Sequence, residues 1–77
     1  MAAVTRDELL ACLVGMWELG WVSCNWIYND IVSVTVLTGN PLGVDEPYVI
    51  EGEYDVRRFV LRQLRNWFGP ELCVFPG

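Results

Sequence analysis

Residues Trp21–Tyr28 read WVSCNWIY and residues Ile31–Thr38 read IVSVTVLT, and the period of these two stretches decides whether the chain builds a sheet. In the second, Val32, Val34 and Val36 alternate with Ser33 and Thr35, the period-two pattern of a half-buried strand rich in β-branched residues. In the first, Val22, Cys24, Trp26 and Tyr28 alternate with Trp21, Ser23, Asn25 and Ile27. A second helix over Trp21–Asn29 is the competing reading of that stretch. With Asn29-Asp30 as a tight turn between them, the two stretches predict a β-hairpin.

Upstream, the pattern is helical. Thr5 and Glu8 have the T-x-x-E spacing of a capping box, Val4 and Leu9 stand where a hydrophobic staple needs them, and Asp7 and Glu8 complement the helix dipole. Gly20 is a natural C-terminal stop. A helix is therefore expected from about Arg6 to Leu19, with Leu9, Leu10, Leu13, Met16 and Trp17 as its core stripe. The opposite face carries Ala11 and Gly15, two small residues four apart and flanked by Asp7 and Glu18. Another backbone can approach closely there, so Ala11 and Gly15 are the candidate contact for self-association into a homodimer.

Downstream, Gly39–Gly43 (GNPLG) reads as a loop, and Pro47 suits Tyr48–Glu51 to a short edge strand. A last helix is expected over Val56–Phe68, capped by Asp55 and stopped by Gly69-Pro70. Val56, Val60 and Trp67 would form its inner face, with Arg58, Arg62 and Arg65 opposite. Cys73-Val74-Phe75 either adds a final strand or simply packs. The order is helix, hairpin, edge strand, helix. It predicts one α+β domain over residues 1–77, with two helices packed on a small antiparallel sheet.

A chain of 77 residues is near the size at which a lone core gives marginal stability. Its 53% hydrophobic content and four tryptophans mean either an unusually aromatic core or apolar surface kept for another chain. The absence of lysine and histidine removes the imidazole that titrates near neutral pH, and also the lysine bases and Schiff-base amines. Paired carboxylates need a concave cleft that so short a chain rarely builds. The expectation is a non-enzyme.

Cys12, Cys24 and Cys73 are widely spaced and have no histidine to complete a zinc set, and Asp45, Glu46 and Glu51 lack a D-x-D-x-D-G calcium loop. No metal and no cofactor are expected. The cysteines read as small buried hydrophobes in a reducing cytoplasm, with an intermolecular disulfide as the alternative. The N-terminus MAAVTRDELL lacks the pattern of a signal peptide. Leu9–Tyr28 approaches the length of a membrane span, but Glu18, Asn25, two glycines and the lack of flanking basic residues argue against one.

Charge is segregated along the chain. Nine acids and no lysine or arginine occur from Asp7 to Asp55; Arg57, Arg58, Arg62 and Arg65 follow, within a net charge of -5. Such a chain is repelled by nucleic acid and anionic lipid, so a basic protein surface is the expected partner. In an extended segment Glu51 and Glu53 would point the same way about 6.8 Å apart, which approximates the phosphate spacing of a nucleic-acid strand. The candidate partner-binding residues are Asp45, Glu46, Tyr48, Glu51, Glu53 and Asp55, with Trp21 and Trp26 as aromatic anchors on opposite strand faces. Arg58, Arg62 and Arg65 either grip phosphates as one helical face or pair with the chain's own acids, Asp55 with Arg58 for example. Local pairing is the expectation.

The run VDEPYVIEGEYD (Val44–Asp55) in so short a chain resembles the small acidic inhibitors encoded by phages, anti-CRISPR proteins among them. The resemblance is one of size and charge. It implies a cytoplasmic bacterial setting and an inhibitor, in part a nucleic-acid mimic, that occupies the basic surface of a nucleic-acid-handling complex. The arginines after Asp55 depart from a purely acidic mimic. The alternative is a structural or assembly module that buries its apolar surface in a homo-oligomer.

Overall fold

The computed structural model of the protein describes residues 3–28 and 30–74. The elements follow in the order β1 (Ala3–Val4), α1 (Arg6–Glu18), β2 (Val22–Ile27), β3 (Asp30–Val36), β4 (Tyr48–Glu51), α2 (Glu53–Phe68) and β5 (Cys73–Val74). An antiparallel sheet of order β2-β3-β4 carries both helices on one face, so the fold is α+β as the hairpin pattern predicts. A short parallel pair, Ala3 with Cys73 and Val4 with Val74, joins the two ends of the described chain. Cys73 and Val74 thus do add a strand, and Phe75 lies outside the described residues.

α1 begins as its sequence dictates. Thr5 is extended, and its hydroxyl accepts a hydrogen bond from the Glu8 amide at 3.1 Å. The reciprocal half of the box differs: the Glu8 carboxylate accepts from the Thr5 hydroxyl at 3.2 Å rather than from the Thr5 backbone. At the other end Gly20 takes φ +80, a conformation other residues adopt at a cost, and turns the chain into β2. Leu9, Leu13 and Met16 are buried as expected. Leu10 packs half-buried against the core, but Trp17 is not part of the stripe and is 49% exposed at the end of α1.

β2 and β3 pair in register from Val22 with Val36 to Asn25 with Ser33, then shift so that Trp26 faces Ile31. Val32 is the extra residue of this β-bulge. It reverses the parity of β3, so Ile31 is buried with Val34 and Val36 while Val32 turns outward, against the expected Val32–Val34–Val36 alternation. The carbonyl of Val32 accepts from the Gly52 amide at 2.9 Å, which ties the bulge to the point where β4 ends. The turn also sits one residue earlier than expected. Ile27 pairs with Asp30, which belongs to β3, and Tyr28 occupies the turn at φ 55; Asn29 lies outside the described residues.

The loop after β3 is held by Asn40. Its amide donates to the carbonyls of Trp21 and Leu37 at 3.3 and 2.9 Å, and its side-chain oxygen accepts from the Leu42 amide at 2.9 Å. The core joins Leu9, Leu13 and Met16 of α1, Val22, Ile31, Val34 and Val36 of the sheet, and Val56, Phe59, Val60 and Leu64 of α2. Phe59 and Leu64 occupy the inner face of α2 where the sequence suggested Trp67, which is 44% exposed at the helix end. Arg6 meets Glu53 at the start of both helices, and Trp21, just past the end of α1, meets Trp67 in the last turn of α2, so the two helices run side by side in the same sense.

Candidate partner-binding surface

The acidic run does not form a carboxylate row. Gly52, at φ 86 and ψ 145, breaks the extended segment, and α2 starts at Glu53 rather than Val56. Asp55 is therefore not the N-cap. It lies in the first helical turn with Glu53, where both carboxylates complement the helix dipole without a side-chain cap. Glu51 is the last residue of a strand and Glu53 the first of a helix, so the two cannot share the strand spacing that nucleic-acid mimicry would use.

The fold instead distributes the acids over three surfaces. Asp45 and Glu46 are exposed in the loop before β4. Within β4 the register places Ile50 beside Val34, on the helix side, and Glu51 beside Ser33, on the open side of the sheet. Tyr48 shares the helix side with Ile50 and borders a depression with Asp55, Arg58 and Arg62. Asp45, Glu46, Glu51 and Asp55 are exposed and, among the described residues, make no ion pair.

Glu53 is different because its carboxylate is already occupied. One oxygen accepts a hydrogen bond from the Arg6 guanidinium across 47 residues of sequence, and the other lies 3.9 Å from Nε of Arg57. The hydrogen bond from Arg6 is the main cause that holds the Glu53 carboxyl below its ordinary range. Glu53 is thus a bridge between the helix starts. It is the weakest of the six candidates as a partner contact.

The arginines also depart from expectation. The ion pairs among the described residues use Arg6 and Arg57; Asp55 and Arg58 do not pair. Arg58, Arg62 and Arg65 stand on the outward face of α2, where the guanidinium of Arg58 lies 5.8 Å from the centre of the Tyr54 ring and Nε of Arg65 donates to the Leu72 carbonyl at 2.7 Å. The sequence places these three opposite the inner face of the helix, as expected, but the local pairing expected of them is not seen. Among the described residues none of the three makes an ion pair.

Trp21 and Trp26 are not exposed anchors. Both are half-buried against the core. Trp21 precedes β2 rather than standing within it: its amide donates to the Met16 carbonyl at 2.9 Å, its carbonyl accepts from Leu37, and its ring meets Trp67 edge-on at 6.0 Å. β2 and β4 are separated by β3, which puts the backbones that carry Trp26 and Glu51 about 10 Å apart across the sheet. The aromatic surface lies elsewhere. Trp17, Leu19, Trp67 and Phe68 are all exposed where the two helices end, with Phe68 77% accessible.

On α1, Ala11 is exposed, and a Cβ built on Gly15 would meet no heavy atom within 4 Å, so no described part of the chain covers that face. Cys12 and Cys24 are half-buried, and burial pushes both thiols up from their ordinary range. Among the described residues no three His, Cys, Asp or Glu side chains cluster as a metal set, and no helix is long and apolar enough to cross a membrane. Compared with known families, curated proteins and solved structures, the chain matches none.

Proposed function

We propose that the protein is a non-enzymatic binding protein that occupies a basic protein surface of a nucleic-acid-handling complex and thereby inhibits it, in the manner of a phage-encoded anti-CRISPR protein in a bacterial cytoplasm. One observation carries this reading. Asp45, Glu46, Glu51 and Asp55 are exposed and, among the described residues, make no ion pair, in a chain of net charge -5. Exposed carboxylates that hold no cation of their own chain remain available to guanidinium and ammonium groups of a partner. They also accelerate encounter with a positive surface, an effect that salt suppresses.

The contact set follows the geometry rather than the run. Asp45, Glu46 and Tyr48 approach from the loop and edge strand, Asp55 from α2 and Glu51 from the open sheet face, while Glu53 stays committed to Arg6. The test is capture from bacterial lysate by the whole chain and by a variant with Asp45→Asn, Glu46→Gln, Glu51→Gln and Asp55→Asn, followed by a salt titration of whatever partner is identified. The expected partner binds nucleic acid, is lost by the variant and dissociates as salt rises. A variant that captures the same partner equally well would sink the reading.

The exposed Trp17, Leu19, Trp67 and Phe68 favour a second reading, an assembly module whose copies meet through this aromatic end. Sedimentation distinguishes the two. Self-association that Phe68→Ser and Trp17→Ser abolish, and that salt leaves unchanged, supports assembly; a monomer at every concentration excludes it.

A further inference from the structure

Three shallow depressions of about 300, 230 and 290 Å³ lie around α2 and share Arg58, the second of them opening toward Tyr48 and Ile50 of β4. Tyr54, Arg57, Arg58 and Leu61 line the first; Arg58 and Arg62 enter the second beside Asp55; Arg58, Arg62, Arg65, Asn66 and Leu61 line the third, which has no carboxylate among its described lining residues. The rise of a helix separates Arg58 from Arg62 by about 6 Å along the axis and Arg62 from Arg65 by about 4.5 Å. The Tyr54 ring beside Arg58 limits where that guanidinium can go. Among the described residues Arg58, Arg62 and Arg65 make no ion pair, and Arg65 is steadied by the Leu72 carbonyl, so the row is a surface for an anion.

We propose that the Arg58–Arg62–Arg65 face is a docking groove for an acidic polypeptide segment of the protein partner. This deepens the reading above and rests on it: the partner presents carboxylates to α2 as well as cations to Asp45 and Glu46. Guanidinium forks match carboxylates in two-point geometry, and the methylenes of a peptide can cover Leu61 between them. A nucleic-acid strand fits less well. Its phosphates repeat without interruption, so a strand along α2 must pass Asp55. A peptide can place uncharged residues at that point and its acids over the three arginines.

The test uses the full chain and three labelled probes at low salt: a synthetic helical peptide with glutamates at i, i+4 and i+7, the same peptide with glutamines, and single-stranded oligothymidylate. The glutamate peptide should bind, and the glutamine peptide should not. Arg58→Gln with Arg62→Gln should weaken binding at least about tenfold, the consequence of losing charged hydrogen bonds worth 1.4 kcal/mol or more. An unchanged melting temperature confirms that the double variant is folded. Arg6→Gln, which removes a charge outside the groove, should weaken peptide binding less than the double variant does, and an equal loss would show a general charge effect and overturn the groove. Tighter binding of oligothymidylate than of the glutamate peptide would overturn the proposal in favour of a nucleic-acid face. Equal binding of the two peptides, or indifference to the arginine substitutions, would overturn it outright. The variant lacking the four acids separates this result from the parent reading: it should keep or improve its affinity for the glutamate peptide, whatever happens to its cellular partner.

Discussion

The acidic stretch Asp45–Asp55 and the basic stretch Arg57–Arg65 adjoin in the chain, yet the fold disperses the first and gathers the second. Five acids pass through a loop, a strand, a glycine break and a helix start, and each change of backbone turns the next carboxylate toward a different surface. Three of the four arginines fall within one uninterrupted helix at i, i+4 and i+7, so a single period places them side by side. Density of charge along a sequence is therefore a poor measure of density on a surface. What matters is whether one regular element spans the run.

The sharpest way to break this contrast is to loosen the helix that collects the arginines. Leu64→Ala removes a buried side chain beneath them, opposite the exposed Arg62 and Arg65. The expected loss is about 2–5 kcal/mol, read as a lower midpoint in denaturant. A loss well under 1 kcal/mol would mean that α2 is not anchored on the sheet as described.

The break that disperses the acids is next in size. Gly52→Ala would place a Cβ in open space, so its cost is entirely that of φ 86 on a residue with a side chain, about 1–3 kcal/mol. Thermal unfolding measures it. A neutral substitution would show that the backbone at this point relaxes and that β4 and α2 are less sharply divided.

Glu53 supplies a smaller effect with a pH signature. Its carboxyl is held below the unfolded value, chiefly by the hydrogen bond from Arg6, so the stability it contributes is present above the unfolded pKa and lost as pH falls through the folded one. Glu53→Gln should therefore be less stable than the parent at neutral pH, with the difference fading in acid. A difference that persists or grows as the carboxyl protonates would contradict the bridge. The smallest effect belongs to the dispersed acids: Asp45→Asn, Glu46→Gln and Glu51→Gln should each change stability by no more than about 0.5 kcal/mol, because none has an ionic partner among the described residues, and Asp55→Asn by no more than about 1 kcal/mol, the contribution of a charge in the first helical turn. A larger loss from any one of them would assign it an internal role and remove it from the candidate surface.

Much of this molecule was legible in its residues. The Thr5–Glu8 box, the Leu9–Leu13–Met16 spacing and Gly20 define α1 without reference to anything else, and the alternation around Cys24 and Val34 defines the hairpin. These are local signals, because capping and periodicity involve neighbours within a few residues. The lack of histidine and lysine likewise narrowed the chemistry before any fold was known. Tertiary structure decided the rest. Which face of a helix is covered depends on what packs against it, so Trp17 and Trp67 are exposed although both are large and apolar. The Val32 bulge is set by pairing with β2 and by the Gly52 amide, neither visible in the alternation of β3 itself. Glu53 is withdrawn from the acidic surface by Arg6, a partner 47 residues away. Contacts over that distance exist only once the chain has folded, and they determine which of its charges remain for a partner to meet.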